Sequence, residues 1–172
     1  ILTSENIEYL PLVSKTKKGE YVEISAAKEK LKYFLNNIFR KKDFRPGQLP
    51  ILSRILSNKT TIGLLPTGGG KSLTYQLASM LQPGVTIVVD PLISLMVDQY
   101  NGLMGNRIDA CACVNSTLTR EERSKNLGKL QNGELQFILL SPERFMMEEF
   151  RNSLCTMSDK NHVYFAYGVI DE

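Results

Sequence analysis

Short apolar runs alternating with helical stretches restrict this chain more than any other feature. The runs lie at 61–65, 85–89, 110–114, 137–140 and 166–170; each is rich in Val, Ile or Leu and almost unbroken by polar residues. Runs of this kind suit strands covered on both faces. Helical stretches separate them, and the clearest begins at Thr119, where Thr119 and Glu122 form a capping box and Asn132-Gly133 supplies the stop. Repeated strand-helix units predict an α/β fold, a parallel sheet with helices on both faces. A chain of 172 residues, 42% of them hydrophobic, buries a sufficient core as one domain without a disulfide or metal staple.

The region before the first run reads differently. Residues 1–24 form an N-terminal extension in which Ile7-Glu8-Tyr9-Leu10 and Tyr21-Val22-Glu23-Ile24 flank a polar turn, the pattern of a β-hairpin. Ser25 is the expected N-cap of a helix reaching about Arg40, with Leu31, Phe34, Leu35, Ile38 and Phe39 at helical spacing. A second helix is expected through Leu49, Ile51, Leu52, Ile55 and Leu56. Residues 25–172 read as a single α/β domain.

The run at 61–65 leads into Pro66-Thr67-Gly68-Gly69-Gly70-Lys71-Ser72, which opens a helix through Leu73, Tyr75, Leu77 and Met80. This is the setting of a phosphate-binding loop. Consecutive glycines let backbone amides surround a phosphate, and the helix N-terminus adds partial positive charge. Thr67, Gly68, Gly69, Gly70, Lys71 and Ser72 are therefore the expected ATP-binding residues. Lys71 is expected to reach the β- and γ-phosphates, and Ser72 to ligate Mg²⁺. Downstream, the run at 166–170 ends in Asp171-Glu172. Acids at the carboxyl end of a parallel strand face the ligand crevice. Asp171 is expected to hold Mg²⁺ through its water shell, and Glu172 to orient and deprotonate the attacking water.

Around these elements the chain resembles the RecQ family of superfamily-2 helicases. Phe44-Arg45-Pro46-Gly47-Gln48 is similar to the adenine-reading motif of that family, and Leu65 to Gln76 to its form of the phosphate loop, including Leu65 where the general pattern has Gly. Pro91-Leu92-Ile93-Ser94-Leu95-Met96 with Asp98-Gln99 resembles motif Ia, and Asn115-Ser116-Thr117-Leu118 a segment downstream of it. Ser141-Pro142-Glu143-Arg144-Phe145 resembles motif Ib, and Ile170-Asp171-Glu172 the start of motif II.

The resemblance implies a RecA-like motor domain in which Arg45 and Gln48 contact adenine. It implies also that Ser94, Gln99, Ser141 and Arg144 lie along single-stranded DNA, where backbone contacts dominate over base reading. Arg144 reads equally as a solvated arginine at a helix start. Leu92, Ile93, Leu95 and Met96 are expected in the core. Three departures stand out: Lys41 replaces the aromatic that stacks on adenine, leaving Phe39 or Tyr33 to serve; Asp90 and Val97 stand where Ser and Lys are usual, placing an acid near the expected DNA path.

The resulting expectation is the first motor domain of an ATP-dependent DNA helicase, 3′ to 5′ by resemblance, acting on single-stranded or partly duplex DNA. Its partner is a second RecA-like domain. The alternatives are a P-loop ATPase that translocates or remodels without unwinding, and a silent nucleotide- or DNA-binding module; the presence of Lys71, Ser72, Asp171 and Glu172 argues against the silent module. The chain starts at Ile1 and stops on the motif II strand, so it is expected to be incomplete. Alone it should bind nucleotide weakly and hydrolyse little, because the arginine that stabilises the transferred phosphate in such helicases sits on the second domain. The net charge of +3 permits a polyanion-binding groove without demanding one. Cys111, Cys113 and Cys155 are expected as buried thiols. No apolar run is long enough for a membrane span, and the expected compartment is the cytoplasm with its nucleoid, or the nucleus in a eukaryote.

Overall fold

The structure, a computed structural model, describes residues 7–160 and 163–171. They divide into two compact units, 7–81 and 82–171, each described by itself.

In the first unit, β1 (Val13–Lys15) and β2 (Tyr21–Glu23) pair as an antiparallel hairpin with Lys15 opposite Tyr21. The hairpin is as expected, but its first strand is not at 7–10. Register follows the turn: the Thr16 amide donates to the Glu20 carbonyl, the Gly19 amide to the Thr16 carbonyl and the Glu20 amide to the Thr16 hydroxyl, and Gly19 takes the left-handed conformation, which sets Lys15 against Tyr21. The hairpin is pinned at Leu12, which is buried and donates its amide to Ser53 Oγ at 3.0 Å.

Helix α1 (Ser25–Phe39) follows, and buries Leu31, Leu35 and Phe39. Its N-cap is Ile24, with no side-chain cap, so Ser25 is the first helical residue and not the cap. Helix α2 (Gln48–Leu56) packs against α3 (Lys71–Met80). The run at 61–65 between them is not a strand, which corrects the expectation: it pairs with no strand among the described residues, and Ile62 and Leu64 are 87% and 88% exposed. An apolar run states what a strand needs covered; only a neighbouring strand can satisfy its amides and carbonyls.

The second unit holds a four-stranded, all-parallel sheet, made of β3 (Val85–Val89), β4 (Cys111–Val114), β5 (Phe137–Leu140) and β6 (Phe165–Ile170) in the order β4-β5-β3-β6. It is the RecA-like α/β arrangement expected of this chain. The helices are α4 (Ile93–Gly105), α5 (Arg120–Gln131), α6 (Pro142–Met146) and α7 (Glu148–Lys160). One sheet face, with Val85, Ala112, Val114, Ile138 and Leu140, packs on Leu130 of α5 and on Phe150 and Met157 of α7. Alternate strand residues, Val88, Cys111, Phe137 and Leu139, are also buried, and α4, with Met96 and Leu103 buried, packs against β4 and β5. Both faces are thus covered at β3, β4 and β5, which is why those strands read as continuous apolar runs, whereas β6 carries no fully buried residue.

Helix α5 starts with the predicted capping box, Thr119 Oγ1 accepting from the Glu122 amide and Glu122 accepting from the Thr119 amide, and ends at Asn132-Gly133. Of the cysteines, Cys111 is buried and Cys113 half-buried, but Cys155 is exposed, against expectation, because it lies on the outer side of α7. Burial pushes the Cys111 thiol up to about 11. Among the described residues, no helix is long and apolar enough to cross a membrane.

Candidate functional site

The phosphate loop is shaped by its glycines and tied by its neighbours. The Gly69 amide donates to the Pro66 carbonyl at 2.8 Å, closing a tight turn in which a Cβ on Gly69 would stand 2.7 Å from that same oxygen. Gly70 is the N-cap of α3 at φ +79°, and a Cβ there would meet Gln48 Nε2 at 2.4 Å. Only glycine fits both positions. No side chain caps α3, so its first amides, those of Lys71 and Ser72 included, have no acceptor within the helix.

Gln48, only 1% exposed, donates from Nε2 to the carbonyls of Gly69 (3.1 Å) and Gly70 (3.0 Å) and accepts on Oε1 from the Arg45 amide (2.8 Å). The Arg45 guanidinium donates to the Gly68 carbonyl. The structure therefore brings Arg45, Gln48, Gly68, Gly69 and Gly70 together, and the two side chains hold the loop by its carbonyls. Lys71 and Ser72 are half-buried in the first turn of α3, and Thr67 is exposed. Of the aromatics considered for adenine, Phe39 is buried in the core and unavailable, whereas Tyr33 is 66% exposed and Lys41 is exposed.

In the second unit, Asp90, Asn115, Ser141 and Asp171 each follow directly the last residue of β3, β4, β5 and β6. Four parallel strands thus carry four polar residues at their carboxyl ends, where open α/β sheets bind ligands. Asp90 is fully buried, so it does not lie exposed beside a DNA path as its position in the sequence suggested. Its Oδ1 accepts from the Leu92 amide at 2.8 Å, and its Oδ2 from Gln99 Nε2 at 3.3 Å. A carboxylate this deep is sustained by such donors. Gln99 Nε2 also donates to Asp171 Oδ2 at 3.0 Å. Met96 is core as expected, but Leu92 is 51% exposed, while Ile93 and Leu95 are half-buried. Ser94 is exposed on the first turn of α4.

Ser141 is buried and N-caps α6. Arg144 is not a solvated helix-start residue: it is 8% exposed and donates to the Asn115 carbonyl at 3.1 Å and to Met147 Sδ at 3.2 Å. Burial, then the nearby charge of Arg123, pulls its pKa down. Arg123 Nε is itself buried and without a hydrogen-bond partner. Sequence reading missed the Arg144–Asn115 link and the Asp90–Gln99–Asp171 contacts, which join residues far apart in the chain; only the unusual acid at 90 hinted at the latter. Glu172 lies outside the described residues.

No cluster of three or more His, Cys, Asp or Glu residues able to hold a metal occurs among the described residues. A cation that requires a full protein cage does not fit. Asp171, half-exposed at a strand end, suits one that keeps its waters and takes phosphate oxygens as further ligands, as Mg²⁺ does.

A family model described as DEAD/DEAH box helicase matches residues 45–172. The chain is 40% identical over 129 residues to the ATP-dependent DNA helicase Q-like 5 of Arabidopsis thaliana, covering 75% of this chain and 14% of that protein. It is 43% identical over 114 residues to the probable ATP-dependent DNA helicase RecS of Bacillus subtilis, covering 66% and 23%. It is 37% identical over 129 residues to the ATP-dependent DNA helicase RecQ of a Synechocystis species, covering 75% and 27%. The chain thus spans at most 27% of the length of these relatives.

Proposed function

Since this chain belongs to the DEAD/DEAH box helicase family, with RecQ-type helicases among its relatives, we propose that it is the nucleotide-binding part of the first motor domain of an ATP-dependent DNA helicase. The motor domain occupies residues 25–172, residues 1–24 are an N-terminal extension, and a second RecA-like domain completes the machine. The observation that carries this reading is the phosphate loop: its carbonyls are tied back by Gln48 and Arg45, and it opens an uncapped helix beginning Lys71-Ser72. A glycine-rich loop opening a helix N-terminus is the backbone arrangement that suits a polyphosphate.

In this reading Lys71 neutralises the β- and γ-phosphates of ATP. Ser72 and Asp171 are the ligands this chain would offer Mg²⁺, which would supply positive charge against the phosphates. Glu172 accepts the proton of the attacking water. Arg45 takes the adenine as well as the loop, whereas Gln48, both of whose amide hydrogens go to the Gly69 and Gly70 carbonyls, reaches the base only by exchanging one of those bonds. Ser94, exposed at the start of α4, meets a single DNA strand at the carboxyl ends of the sheet, with the buried Ser141 and Arg144 supporting that track, and the protein works where DNA is, in a nucleoid or nucleus.

The test is strand separation by the full-length protein on duplexes carrying a 3′ or a 5′ single-stranded tail. ATP-dependent opening of the 3′-tailed duplex, with little of the other, is expected. DNA-stimulated ATP hydrolysis without separation of either would replace the helicase with a translocating ATPase; no hydrolysis at all would refute the motor.

A further inference from the structure

Asp90 is the acid that departs most clearly from the family pattern, and the structure buries it completely. Both its carboxylate oxygens are turned to α4, Oδ1 to the Leu92 amide at the helix start and Oδ2 to Gln99 Nε2 almost two turns further on. The same nitrogen donates to Asp171 Oδ2. A primary amide carries two N–H bonds on that nitrogen, so one serves each carboxylate, and with both engaged the amide plane has no freedom to turn. The two carboxylates project from the ends of β3 and β6, neighbours in the sheet, where the Asp171 amide also donates to the Val89 carbonyl at 2.9 Å. Gln99 is half-buried between them, which is the setting of a group that orients another.

We infer that Gln99, anchored by Asp90, is a positioning residue for Asp171: it fixes the carboxylate that receives the magnesium ion and fastens that carboxylate to α4. The inference rests on the reading of Asp171 as the magnesium carboxylate. It changes what Gln99 is for, from a contact with the DNA strand to an outer partner of the metal site. It also explains the acid at 90: a serine there has one oxygen, whereas the two of Asp90 join both ends of the α4 contact. Partners that orient a metal-binding carboxylate affect metal affinity by about 10- to 100-fold when removed. Motion of α4 when Ser94 meets DNA would then reach Asp171 through one side chain.

The experiment uses the full-length protein with Gln99→Met, which keeps the length of the side chain and removes the donor, and Gln99→Glu, which keeps the shape and presents acceptors. Three quantities are read: the Mg²⁺ concentration giving half-maximal binding of a fluorescent ADP analogue, binding of the same analogue in EDTA, and binding of a fluorescent single-stranded oligonucleotide without nucleotide. In both variants the Mg²⁺ requirement should rise about 10-fold or more, with EDTA binding and oligonucleotide binding unchanged. Should the methionine variant melt early, the glutamate variant alone decides. An unchanged Mg²⁺ requirement overturns the inference, and a loss of oligonucleotide binding alongside it returns Gln99 to the DNA track. Wild-type binding of ADP that ignores Mg²⁺ altogether would instead overturn the underlying assignment of Asp171.

Discussion

Gln48 illustrates how one side chain serves two ends of a site. Its amide nitrogen holds the carbonyls of Gly69 and Gly70 while its oxygen holds the Arg45 amide, and it is buried, so each bond is made away from water. Such bonds contribute about 0.5–1.5 kcal/mol each, and orphaned buried acceptors add to the loss. Gln48→Ala is therefore expected to weaken binding of ADP and of inorganic tripolyphosphate alike, on the order of 10-fold. Calorimetric titration of both ligands checks it. Loss confined to ADP would mean that Gln48 reads the base and leaves the loop alone. The sequence placed Arg45 and Gln48 beside adenine by resemblance; their grip on the loop carbonyls was invisible because it spans 21–23 residues and depends on how α2 meets α3. Cys155 shows the converse limit, since nothing in its local pattern told the outer side of α7 from the inner.

At the scale of elements, what was legible was local or two-sided. The capping box at Thr119 needs only residues three apart, and the structure forms it with Glu122 as read. Strands β3 and β5 were placed to the residue because each is covered on both faces and each is bounded by turn residues. The run at 61–65 has the same apolar signature without a paired neighbour among the described residues, and the first strand of the hairpin slid because its turn, not its hydrophobicity, sets the register. The α5 cap can be tested directly. Thr119→Ala should cost about 1 kcal/mol of stability in denaturant unfolding. Hydrogen bonds from the Thr119 amide and then its hydroxyl hold the Glu122 carboxyl below its ordinary range. A depressed folded value means that this contribution is present at neutral pH and is lost as pH falls through it, so the part of the gap that comes from the hydroxyl–carboxylate bond should shrink in acid, while the part from the Glu122 amide to the Thr119 hydroxyl stays. A gap that stays constant from neutral pH to acid would show that the Thr119 hydroxyl and the Glu122 carboxylate contribute nothing to each other in the cap.

For the molecule as a whole, residues far apart in the sequence meet along one end of the sheet. Motif-like segments separated by tens of residues, at Asp90, Asn115, Ser141 and Asp171, fall at the carboxyl ends of four parallel strands, and no local pattern could have ordered those strands as β4-β5-β3-β6. The order puts β3 beside β6, and so allows Gln99 to bridge Asp90 and Asp171. The central claim, however, is that the chain drives work on DNA with ATP held by its phosphate loop, and a single substitution addresses it. DNA-stimulated ATP hydrolysis is measured for the full-length protein and for Lys71→Ala, with thermal melting followed in parallel. With Lys71 serving the phosphates as proposed, hydrolysis should fall by about 10²-fold or more, the scale of losing one charge-stabilising donor, while the stability stays within roughly 0.5 kcal/mol of wild type. Hydrolysis at near wild-type rate in a folded Lys71→Ala protein would contradict the phosphate-loop assignment and the motor built on it.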